Sequence, residues 1–247
     1  MSRSIRYVLA VSLVSLFTAC GGGGGGDSST VSTLPAPVPP VPALDSYAFK
    51  TAWVNFFNDS STLNFTVSGV ISGVVISGNG TVTQSVPASA TFENVSGAKK
   101  TEVTTGTVTG TLNGAVVTQP ISGSVTLYVD TNYLPLGETG EDFYSVVTGP
   151  VTIPPTVKIG DAGPLYKQTV YSSSAKTVPL GTVEVSYAVK PDTMVGSALL
   201  DLIEVDKNAS GVVAGTSTLR FRMTPAGGLT RLSEVAVVGA DTLTITY

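Results

Sequence analysis

Few side chains in this sequence are suited to chemistry, and their spacing restricts them further. There is no histidine and a single cysteine, Cys20, among 247 residues. Ser-His-Asp and Cys-His arrangements therefore have no base to use, and no internal disulfide can form. The nucleophile pattern that remains is Ser-x-x-Lys, present as Ser96-Gly97-Ala98-Lys99 and as Ser173-Ser174-Ala175-Lys176. In enzymes that use this pattern it opens a helix and works with a Lys-Thr-Gly partner. Here both copies lie in turn-like stretches, and Lys-Thr-Gly does not occur. Asp130, Glu138, Glu141 and Asp142 could bring oxygens to calcium, but their spacing fits no EF-hand loop and an acidic loop is ordinarily solvated. The glycine-rich stretches lack the Gly-Lys-Ser/Thr ending of a phosphate loop. The expectation is a protein that is not an enzyme, with no catalytic, cofactor-binding or metal-binding residues. Trp53, Phe56, Phe57, Tyr133, Phe143 and Tyr144 form the last candidate group: aromatic faces stack on sugars and anchor interfaces, although filling a core is the simpler role.

The elements that would position these residues read as strands. The body is rich in Val, Thr, Ser and Gly, with 42% hydrophobic and 12% charged residues, a mixture that suits half-buried pleated surfaces. From about Tyr47, alternating runs are punctuated by Gly, Asn and Asp. TVSGVISGVVIS at residues 66–77 is echoed 41 residues later by TVTGTLNGAVVT at 107–118, which suggests one hairpin design used twice. Asn113-Gly114 is the clearest turn, because both central residues of a type I′ turn need positive φ. Gly78-Asn79-Gly80 is a second candidate, and Gly73 reads as a bulge, since a turn there too would leave a strand of only a few residues. Prolines at 135, 150, 154, 155 and 164 mark a candidate boundary. Beyond it, strands are expected over 165–171, 181–190, 194–206, 212–223, 229–238 and 242–247. Residues 194–205 also admit a helix capped by Asp192, with a strand favoured by its place in the meander. The closing TLTITY alternates as the last strand of an outer-membrane barrel does. A membrane barrel, however, needs strands of ~10 residues, an outward apolar band and aromatic girdles. With aromatics at 7%, a strand closing a soluble sheet is expected. The fold class is thus all-β, antiparallel strands and hairpins in a sandwich or meander, as two packed lobes spanning 46–148 and 149–247.

Lys and Arg are scattered, so no basic stripe exists to neutralise phosphates, and nucleic acid is not an expected partner. The N-terminal stretch is different. Arg3 and Arg6 precede an apolar run, YVLAVSLVSLF at residues 7–17, the layout of an export signal and too short to span ~30 Å of hydrocarbon. Without residues 1–19 the formal charge is −6, from 11 basic and 17 acidic residues.

The residues LFTAC at 16–20 resemble the lipobox of bacterial lipoproteins, with Phe17 where that family usually has leucine. The resemblance implies cleavage between Ala19 and Cys20, diacylglycerol on the Cys20 thiol and acylation of the freed amino group. Gly21, where an aspartate would retain the protein, implies outer-membrane sorting in a Gram-negative cell. Two or three acyl chains, at ~0.8 kcal/mol per buried CH₂, make such an anchor effectively permanent. Residues 20–45 would then be the acylated N-terminus and a tether: six glycines that favour coil, followed by LPAPVPPVP, which favours extended polyproline II. The functional expectation is a membrane-anchored envelope lipoprotein with a non-catalytic structural or interaction role. The alternative is a ligand-binding or adhesion module for glycan or another envelope component.

Overall fold

Residues 46–247 are described by a computed structural model. Buried and exposed side chains alternate along most of it, as in Val213–Met223, where every second residue from Gly215 to Met223 is buried. Period two places successive side chains on opposite faces of a pleated strand. The strands are β1 (Thr62–Ile71), β2 (Val74–Gln84), β3 (Ala88–Phe92), β4 (Val95–Leu112), β5 (Ala115–Asp130), β6 (Pro135–Gly140) and β7 (Tyr144–Val147), then β8 (Ala162–Tyr171), β9 (Pro179–Pro191), β10 (Ala198–Asn208), β11 (Val213–Met223), β12 (Leu229–Val238) and β13 (Asp241–Thr246). From β4 to β13 each strand pairs antiparallel with the next; β13 then pairs with β1, β1 with β2, and β2 with β4. β3 pairs with β4 at residues 95–99, beyond the stretch that β2 occupies, so β2 and β3 act as one stave.

The chain therefore forms a closed twelve-stranded antiparallel barrel: the all-β class holds and β4 to β13 do run as a meander, but the expected sandwich and its two packed lobes are overturned. The sheet runs straight across the expected dividing line, with Ser145 of β7 opposite Val170 of β8. Pro135 opens β6 and Pro164 sits inside β8, whereas prolines 150, 154 and 155 lie in the β7–β8 connection. Its Val157 is buried and bridges Tyr47, while Val151, Ile153 and Ile159 pack on the core. Closure also removes the two rows of unpaired backbone groups that an open sheet would present.

The two similar segments do make the same hairpin twice. Ser72-Gly73 and Asn113-Gly114 sit at matching points, with φ of 50° and 79° in the first and 51° and 79° in the second. Gly73 is thus a turn residue and not a bulge, and Gly78-Asn79-Gly80 lies inside β2 rather than in a turn. Gly80 is there for space: Phe65 stands directly opposite, and a Cβ on Gly80 would come 2.6 Å from its ring. Residues 192–197 turn, and β10 starts at Ala198, so the strand alternative holds from that residue onward.

One element departs from the strand expectation. Phe49–Asn58 forms a helix, α1, with Phe49, Ala52, Trp53, Phe56 and Phe57 at i, i+3, i+4, i+7 and i+8, one face of an α-helix. Phe49, Ala52, Trp53 and Phe57 are buried. The helix lies at the end of the barrel formed by the β5–β6, β7–β8 and β11–β12 connections, and is tied to all three: Lys50 Nζ donates to Asn132 O, Lys50 N to Pro155 O, and Asn55 Nδ2 to Gly227 O. It plugs that mouth. The lumen holds two apolar clusters. The larger packs α1 against inward residues of β5 and β8–β11, and the smaller joins Phe65, Val67, Ile76, Val108, Ile121 and Leu243 toward the opposite, hairpin end.

Candidate functional site

Between α1 and the barrel wall lies a polar network built on inward positions of β2, β4 and β12. Gln84 and Glu102 are cross-strand partners on β2 and β4, and Lys100 follows on the same face of β4. Lys100 Nζ donates to Gln84 Oε1 at 2.8 Å and to Phe56 O at 2.7 Å. The second bond joins a long one from the Asp59 amide on a carbonyl in the last turn of α1, where helices carry partial negative charge. Gln84 Nε2 donates to Glu102 Oε1 at 2.8 Å. From β12, Arg231 Nη2 reaches Glu102 Oε1 at 3.1 Å, and the two side chains are 2% and 1% exposed. Because β2, β1 and β13 lie between β4 and β12 in the ring, this ion pair spans the lumen. The Phe56 ring is shared by two cations, with Lys100 Nζ 4.7 Å and Arg231 Cζ 5.5 Å from its centroid. Tyr247 and Phe221 also border the guanidinium, at 5.1 and 6.0 Å.

Burial pushes the Lys100 ammonium down to about 8, against the opposing pull of Glu102 and Asp59. Burial acts on Arg231 in the same direction, but Glu102, with Tyr247 and Glu234, overrides it and holds the guanidinium charged. Beside this network is a cavity of about 160 Å³ lined by Asn55, Phe56, Asp59, Leu63, Gln84, Phe221, Leu229, Thr230 and Arg231. Among the described residues, Arg231 Nε and Nη1, both buried, make no well-formed hydrogen bond; the Tyr247 hydroxyl beside the guanidinium acts on its charge but is likewise unsatisfied.

The candidate residues from the sequence are dispersed. Cys20, Ala19 and the segments 1–19 and 20–45 lie outside the described residues. Trp53, Phe57 and Phe143 belong to the core; Trp53 is 7% exposed and donates from Nε1 to Tyr133 O at 2.9 Å. Tyr144 instead faces outward, where Phe92 stacks between it and Tyr128 at centroid distances of 5.2 and 4.4 Å. The four acids do not converge. Glu138 is buried and receives Gln168 Nε2 at 3.2 Å, whereas Asp130 Oδ1 accepts the Asn132 and Leu134 amides of its own turn. Among the described residues, no group of three or more His, Cys, Asp or Glu side chains is arranged to hold a metal ion. Ser96 and Lys99 sit three apart on β4 and so face opposite sides of the sheet. Lys176 Nζ is engaged by Glu93.

Sequence reasoning missed Lys100, Glu102 and Arg231, whose signal was faint: charged residues alternating with outward threonines within otherwise inward-facing registers. A second ionic cluster stands at the barrel rim. Arg222 Nε donates to Asp192 Oδ2 at 2.6 Å, and Ser197 Oγ to the same oxygen at 2.7 Å. The Arg222 hydrogen bond, aided by Ser197, holds the Asp192 carboxyl down at about 2. A carboxyl depressed below its unfolded value of ~3.9 contributes stability above that value and loses it as pH falls toward the folded one. Urea unfolding midpoints are expected to drop between pH 4 and 2, and Asp192→Asn to flatten the slope across that window while lowering stability near neutrality.

Compared with known proteins, the chain matches no protein-family model, no curated protein and no solved structure.

Proposed function

We propose that the protein is an envelope lipoprotein, anchored through acylated Cys20, whose plugged barrel has a non-catalytic structural or interaction role. The observation that carries this reading is the chemistry of the outer wall. Outward threonines pair across strands, Thr81 with Thr105 at 3.1 Å and Thr109 with Thr118 at 2.9 Å. Along β9–β11, Lys190 and Arg220 both engage Asp201, at 2.7 Å each. Hydroxyl ladders and ion pairs suit water, whereas a bilayer-spanning wall carries an apolar band between aromatic girdles. A water-facing wall favours a link to the membrane made elsewhere, and the lipobox-like Cys20 offers one.

The barrel, together with the lack of any helix long and apolar enough to cross a membrane among the described residues, is compatible with an outer-membrane or envelope protein. Burial of Trp53 and Phe57 supports a core role for those aromatics. The alternative of adhesion or glycan recognition draws on the half-buried Tyr128 and Tyr144 of the outward stack, since Phe92 between them is 5% exposed.

Cys20→Ser is expected to abolish palmitate incorporation and to move the protein from the detergent phase to the aqueous phase of a cloud-point partition. Retention of label and detergent partitioning by the variant overturns the anchor.

A further inference from the structure

The mouth cavity combines three properties. It is large enough for a small molecule, since an apolar cavity of ~150 Å³ accommodates benzene and this one measures about 160 Å³. It is amphipathic, with Phe56, Phe221, Leu63 and Leu229 set against Asn55, Gln84 and Arg231. Finally, it is lined by Arg231, whose buried Nε and Nη1 make no well-formed hydrogen bond among the described residues. Buried N–H groups without partners carry their desolvation cost uncompensated, the more so when charged. An acceptor delivered into the cavity therefore meets donors already desolvated and held in place by Glu102 and the surrounding rings.

Charge decides the class of acceptor. Lys100 and Arg231 share the network with Glu102 and Glu234, and Asp59 lines the cavity itself. The cations are thus already matched, and a carboxylate or phosphate would enter against Glu102 and Asp59. An uncharged oxygen satisfies the arginine without that repulsion, while an apolar body gains contact with the aromatic and leucine walls.

We propose that the cavity is a binding site for a small uncharged molecule joining a ring-sized apolar body to a carbonyl or amide oxygen, the oxygen accepting from Arg231 and the body lying against Phe56, Phe221 and Leu229. The site goes beyond the lipoprotein reading and does not depend on where the protein resides. One wall is Asn55, Phe56 and Asp59 of α1 and the segment just after it, so a bound molecule bridges the plug to the barrel.

The test uses the full-length chain with benzamide as probe and benzoate as the charged comparison, followed by saturation-transfer NMR and by the Arg231 Nε–H resonance. Benzamide is expected to give saturation transfer at its ring protons and to shift that resonance, with a weaker effect from benzoate. Leu229→Trp fills the cavity and leaves Arg231 in place; it is expected to abolish both signals while circular dichroism stays unchanged. If that variant does not fold, Leu63→Trp on β1 makes the same test. Tighter binding of benzoate overturns the uncharged class. Undiminished transfer in the folded tryptophan variant overturns the location. No transfer or shift from benzamide up to its solubility limit overturns the site and leaves a hydrated structural gap.

Discussion

Arg231→Met is expected to lower the unfolding free energy by about 3–5 kcal/mol, the range found when one partner of a buried ion pair is removed. Methionine keeps much of the side-chain volume and its contact with Phe56 and Phe221, so the loss is chiefly electrostatic: Glu102 stays almost fully buried without its direct ion pair, with only the Lys100 charge nearby. Adding Glu102→Gln isolates that cause. The amide still accepts from Gln84 and carries no charge, so the double variant is expected to recover most of the loss, giving a coupling energy well above the error of a double-mutant cycle. Urea unfolding followed by far-UV circular dichroism measures all three variants. Equal stability of the single and double variants would show that Arg231 acts through packing.

Trp53→Ala is expected to cost a comparable amount, about 3–5 kcal/mol. Trp53 packs edge-on to Tyr166 at 6.4 Å and donates to the Tyr133 carbonyl, linking α1 to the β5–β6 connection. Trp53→Phe separates the two contributions. It keeps an aromatic ring but leaves the buried carbonyl without its donor, a loss of about 1–3 kcal/mol. Because Trp53 is the only tryptophan, the comparison is again read by circular dichroism. A loss below about 1 kcal/mol for the alanine variant would mean that the helix is dispensable to the barrel.

The local layer of this structure was readable from the sequence, and the global layer was not. Strands β8 to β13 follow the alternation and turn chemistry closely, because period two and Gly, Asn and Asp at the turns are local properties. The helix is legible as well, since residues 49, 52, 53, 56 and 57 keep a period near 3.6, but it is one short segment before a chain that otherwise keeps period two. Closure was a different matter. It rests on β1 meeting β13 and on β2 meeting β4 past β3, and alternating strands look the same in a sandwich as in a barrel. The proline cluster misled for a related reason: prolines lack an N–H and end strands wherever a chain turns, whether between domains or within one. In the candidate site, alternation gives Lys100 and Glu102 the same face but does not say which face is inside. Only the ring of strands brings Arg231 across from them.

Joining β1 to β13 also governs the order in which this molecule can assemble. Thr66 pairs with Thr246, a contact spanning about 180 residues, whereas the β1–β2 hairpin closes over a two-residue turn. Loop-closure entropy grows as (3/2)RT ln n, so this seam costs about 2.5 kcal/mol more than a ten-residue loop and is made late. The hairpins form early and carry their own register, but the barrel has no lumen until the seam is made. The plug helix and the Arg231–Glu102 pair both depend on that enclosure. Most strand pairs join sequence neighbours, so the one distant seam is the step at which topology limits folding. Until the seam closes, the free edges of β1 and β13 are its points of exposure to other chains.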